Sequence, residues 1–171
     1  MDTNLVEMWL RKDPVRWMAG VAAGLFAALV MIAFSMLVAI LFGMEAWYPV
    51  KIAALPFFGS EAGELGFQLG HILVGVVFLE VLGAFLGFLY AHFNFTNQLP
   101  ALLAMGVVWG IFAWIFISNL FIQSSRPVFH AHYSSGAAFF SWIVFGISLT
   151  SVAFFDRMLR GSTPLQQPQR I

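Results

Sequence analysis

Residues 66–93 read GFQLGHILVGVVFLEVLGAFLGFLYAHF. A hydrocarbon core about 30 Å thick needs about 20 helical residues to cross it. The stretch exceeds that length and holds one acidic residue, Glu80. In lipid the backbone must satisfy its own hydrogen bonds, so only helices or closed barrels span. A run this long and this uniformly apolar does not read as a barrel strand. It predicts a transmembrane helix.

Three further apolar runs flank it, at about 18–42, 100–122 and 135–155. The fold class is therefore all-α: a polytopic membrane protein built as a four-transmembrane-helix bundle. One membrane domain, 1–171, accounts for the length. Residues 1–16, with Leu5, Met8 and Trp9, read as a cytoplasmic or interfacial segment. Residues 161–171 are Pro- and Gln-rich and read as an irregular tail. The loop between spans two and three is short, so those helices are expected to be antiparallel neighbours. The longer loop from Gly43 to Leu65 contains "IAALPFFG", which is apolar but too short to span and reads as a re-entrant or interfacial piece.

Composition agrees. Of 171 residues, 61% are hydrophobic and only 9% charged, against about a quarter charged in soluble domains. Mean hydropathy is +0.88. With no cysteine, disulfides, thiolate nucleophiles and iron–sulfur ligation drop out. A formal net charge of zero suggests no nucleic-acid partner. The charged N-terminal residues and the long run that follows are not expected to form a cleavable signal. Arg11, Lys12 and Arg16 precede span one, and Arg157, Arg160 and Arg170 follow span four. Only Lys51 and Arg126 lie in the odd-numbered loops. Positive charge marks the cytoplasmic side, so both termini are expected there. Asn94-Phe95-Thr96 matches a glycosylation sequon but would then face the cytoplasm, and the match is read as chance.

Small residues recur four apart: Gly20 and Gly24, Gly83 and Gly87, Gly106 and Gly110. That spacing lets membrane helices approach closely, within the bundle or against a partner subunit. Glu80 is the one acidic residue deep in a span, and an intramembrane carboxylate is a functional candidate by default. It is expected to be protonated and hydrogen-bonded to a neighbouring helix. Nine helical steps of about 100° set it opposite His71. Glu80 shares its side with Gly83 and Gly87, so the two polar groups cannot form one site on a straight helix.

Polar residues collect at the outer end. His71, Glu61, Glu64 and Asn119 are joined there by the "HAH" of residues 130–132. In extended chain, His130 and His132 point the same way. With His71 and Glu61 or Glu64 they could hold zinc or copper(II). His71 with one loop histidine could hold a haem. The plainer reading is a polar cap at a wet interface, with no cofactor. No nucleophile with its base and no phosphate-binding loop is present, so an enzyme is not expected.

The pieces "MAGVAAGLFAAL", "LGHILVGVVF" and "LPALLAMGVVWG", with a Pro/His loop before a Trp-containing last span, resemble the YagU-like inner-membrane proteins of bacteria. The resemblance implies a small bacterial cytoplasmic-membrane protein and carries no catalytic residue. Three functions are in competition. The first is a non-catalytic subunit or accessory protein of a larger membrane complex, respiratory or otherwise energy-converting. The second is a metal or haem protein using the outer histidines. The third is a small oligomeric transporter or channel with Glu80 in its pathway. Expected partners are the lipid bilayer and other membrane subunits, or further copies of the chain.

Overall fold

A computed structural model describes residues 13–94, 96–121 and 135–161. Among them there is helix and no strand. Helix α1 spans Pro14–Leu41, and the short helices α2 and α3 span Tyr48–Ala53 and Leu55–Phe58. A 3-10 turn, Gly59–Gly63, leads toward α4, Leu69–Phe93. Helix α5 spans Leu99–Phe121 and α6 Ser135–Ser148. A 3-10 turn, Leu149–Ser151, joins α6 to α7, Val152–Gly161. Helices α1, α4 and α5 and the composite α6–α7 are long and apolar enough to cross a membrane. The chain is a multi-pass membrane protein with an all-α four-helix architecture.

Helix boundaries follow local chemistry. Asp13 caps α1, its Oδ1 accepting from the Arg16 backbone N–H at 3.1 Å, and Pro14 follows in the first turn. This cap starts α1 one turn before the apolar run. At the other end Gly43 adopts φ +71°. The Met44 N–H bonds Ala39 O at 2.9 Å and the Gly43 N–H bonds Ile40 O at 3.0 Å. That paired pattern ends a helix at a left-handed glycine. Between α4 and α5, the Asn94 and Thr96 side chains accept from the Thr96 and Gln98 backbone N–H groups. These local bonds turn the chain in place of helix. The last span runs on to Gly161 because its polar residues, Asp156 and Arg160, find partners at the bundle end.

The bundle is two close-packed pairs. Helix α1 packs on α4 and α5 on α6, while α1 also contacts α6 and α7 and so forms the hub. Its buried stripe is almost all small: Ala19, Gly20, Ala23, Gly24, Ala27 and Ala28. Between apolar helices in apolar lipid the hydrophobic drive is weak, so close van der Waals approach must hold them. A Cβ at Gly83 would stand 2.7 Å from Ala28 Cβ and 2.8 Å from Gly24 O. One at Gly110 would stand 2.5 Å from Trp142 O. A Cβ at Gly106 would collide with Gly146, a glycine outside the recurring pairs.

Helices α4 and α5, the expected antiparallel neighbours, do not pack backbone to backbone along their length. Long aromatic side chains bridge them. The Tyr90 hydroxyl donates to Leu102 O at 2.9 Å, and the Trp109 indole N–H donates to Leu86 O at 3.2 Å. Trp109 also packs edge-on to Tyr90, with ring centroids 6.2 Å apart. The loop after α1 is folded onto the bundle. Helix α2 packs on both α1 and α4, and Gly75 of α4 admits the Val50 carbonyl against its bare Cα. Tyr48, Val50 and Lys51 are fully buried there.

Candidate functional site

Polar side chains gather at three levels of the bundle. The richest cluster lies where α1 begins and α7 ends. Arg16, read from sequence as an orientation charge, is buried. Its Nη1 donates to Asn97 Oδ1 at 2.5 Å, and its Nη2 to the carbonyls of Asn94 and Thr96, each at 3.0 Å. Asp156, also buried, lies 3.4 Å from Arg16 Nη1 and accepts from Arg160 Nε at 3.1 Å. Arg160 reaches across to Asp13 at 2.6 Å. One guanidinium thus ties the α4–α5 turn to the first turn of α1 and the last turns of α7. Burial makes such a set depend on complete pairing, since a lone buried charge is expensive. His92 lies beside the cluster, stacked on Phe88 at 6.3 Å and tilted against Trp17 at 5.9 Å.

The second cluster is at the opposite end. Lys51 Nζ donates to Glu64 O at 2.5 Å and Gly66 O at 2.6 Å, and lies 3.5 Å from Glu45 Oε2. Glu45 Oε1 in turn accepts from the Gly66 N–H at 2.6 Å. The ammonium pins the chain before α4 onto α2. Burial also pushes the Tyr48 phenol above its usual value. Glu64 enters through its backbone carbonyl, and its side chain is exposed, like that of Glu61. His71 is half-buried against Phe58, ring centroids 4.2 Å apart. Its Nε2 and the Gln68 Oε1 are buried without a hydrogen-bond partner among the described residues. His130 and His132 lie outside the described residues, as does the side chain of Asn119, a residue of α5. No group of three His, Asp or Glu able to hold a metal occurs among the described residues.

The third level is the middle of α4. Gly83 and Gly87 face α1, closing on Gly24 and Gly20. Glu80 sits on the shoulder of that contact, partly exposed. The hydrogen bond expected of it is not found among the described residues, where its Oε1 is buried with no partner. The close-packing glycines serve the chain's own helix pair, so they are not free to seat another subunit.

Sequence reasoning passed over Arg16, Asp156 and Lys51 as site residues. Their signals were present in the Asp13–Arg16 capping spacing and in Asp156–Arg160, four apart on one helix. A charge near a helix end reads equally as a solvated topological signal, and only the tertiary contacts show it buried.

The chain matches no protein-family model, no curated protein and no solved structure.

Proposed function

We propose that the protein is a non-catalytic membrane subunit or accessory protein of a larger complex, in an energy-converting setting. Glu80 is the observation that carries the reading. A carboxyl oxygen buried at mid-span with no partner among the described residues is costly. The Glu80 side chain is partly exposed, so a turn of its carboxyl group would bring it to a donor on a neighbouring subunit's helix. The other buried charges, Arg16, Lys51 and Asp156, hold this fold together, which supports a structural role over a catalytic one. The bacterial cytoplasmic membrane, with both termini inside, is proposed from the basic residues flanking spans one and four and from the YagU-like layout.

The test is photo-crosslinking from position 80 in native membranes, with Phe85 as a lipid-facing control. A protein adduct of one defined mass from position 80 and none from position 85 is expected. If purified protein is monomeric and both positions crosslink only lipid, the reading fails.

One observation favours a second reading, a metal or haem at the outer end: the unpartnered His71 Nε2. Stoichiometric metal or a haem spectrum in the purified protein, lost in His71→Gln, would favour it.

A further inference from the structure

We propose that the cluster around Arg16 is a binding site for the phosphoryl oxyanion of a membrane-lipid headgroup. A cavity of about 250 Å3 opens there between the start of α1, the end of α4 and the end of α7. Arg16, Asn94 and Asp156 line it as buried groups, and the Arg16 and Asp156 side chains are only 9% and 5% exposed. Asp13, Asn97 and Arg160 line it from more exposed positions.

The surplus hydrogen-bonding capacity of the residues that line this cavity is on the donor side. Arg16 Nη1 and Nη2 are engaged, yet its Nε–H is buried with no partner among the described residues. The Asn94 Nδ2 also forms no hydrogen bond of ordinary geometry, although the Tyr90 hydroxyl is close by. A ligand here must therefore bring acceptors. One water needs only about 15 Å3 of such space, so the cavity admits a much larger group.

Charge narrows the choice. The lining holds two arginines and two aspartates, so its formal charge cancels. A dianion would meet Asp13 and Asp156 at close range. A phosphodiester carries a single negative charge and suits a balanced site better. Position narrows it further. The cavity is at the end of four apolar spans, flanked by Trp17 and His92. Interfacial aromatics mark headgroup depth, where lipid phosphates lie. A phosphate oxygen on the Arg16 guanidinium, turned to present its spare N–H, would make a charge-assisted bond.

The experiment titrates delipidated, detergent-purified protein with three probes: short-chain phosphatidylethanolamine, the matching diacylglycerol, and inorganic phosphate. Binding is read by native mass spectrometry and by thermal stabilisation. Wild-type protein should gain one phospholipid per chain and melt several degrees higher, and diacylglycerol should do neither. Asn94→Asp keeps the acceptor that turns the chain at Thr96, removes the donor and adds a negative charge. It should weaken phospholipid binding at least tenfold with unchanged helix content. If that variant does not fold, Asn97→Asp serves in its place. It keeps the acceptor for Arg16 at an exposed position, and it should weaken binding several-fold, more so at low salt. Saturable binding of inorganic phosphate in place of phospholipid, lost in the same variants, would support the oxyanion site and assign it a free phosphate. Equal binding of diacylglycerol, or full phospholipid binding by a folded variant, would overturn the proposal.

Discussion

At the scale of single residues, this chain separates charges that hold the fold from one that does not. Lys51 is wholly buried, and its two backbone acceptors have no other cation among the described contacts. Lys51→Met should therefore cost about 3 kcal/mol, because it strands carbonyls and the Glu45 carboxylate together. Thermal unfolding in mild detergent measures this. Asp156→Asn should cost a comparable amount, since it leaves buried Arg16 without its carboxylate. Arg160→Gln should cost under about 1 kcal/mol, because its side chain is half exposed and water screens the pair. A larger loss for Arg160→Gln than for Asp156→Asn would contradict this ranking. Glu80 should behave in the opposite way. Glu80→Leu removes a buried oxygen that no described residue satisfies, so the isolated protein should melt at an equal or higher temperature. The same variant should lose whatever partner position 80 captures. A marked loss of stability in the isolated protein would mean that Glu80 is structural.

At the scale of helices, approach distance decides. Gly83 has no room for a methyl group, since its Cβ would press on Ala28 and on the Gly24 carbonyl. Helices in apolar lipid cannot make up that contact by hydrophobic burial. Gly83→Ala should thus destabilise by about 2 kcal/mol, the usual cost of overpacking. Gly70 is on the same helix with nothing within 4 Å of the added carbon. Gly70→Ala should leave stability unchanged or slightly raised, because alanine favours helix. Equal effects of the two substitutions in a detergent melt would remove the close-approach argument. The glycine pairs were legible as a spacing of four, a property of one helix. Which helix each pair meets, and that Gly146 opposes Gly106, depends on how helices distant in sequence come together.

At the scale of the whole molecule, α1 is the hub around which α4, α6 and α7 assemble. The four spans return the chain to its starting side, and the Asp13–Arg160 contact joins the first and last helices there. Reporter fusions at the two termini should therefore report one compartment, the cytoplasm in the proposed orientation. Opposite signals from the two ends would contradict the even number of spans. The far end is closed by α2, which Lys51 clamps beneath the entry to α4. The packing of α2 on α1 and α4 was not legible in sequence, since six helical residues carry too little periodicity to announce a tertiary contact.

The sequence by itself determined the number of spans, the all-helical class and the faces on which helices could approach. Those follow from run length and from a period of 3.6, both local properties of a chain in a solvent without hydrogen bonds to offer. Burial of Arg16, Asp156 and Lys51 was decided only by the tertiary structure. So was the lack of a partner for Glu80 Oε1 among the described residues, and so was the opening of a cavity beside Arg16. Each depends on which side chain from another helix arrives within about 3 Å. No spacing along one helix encodes that distance.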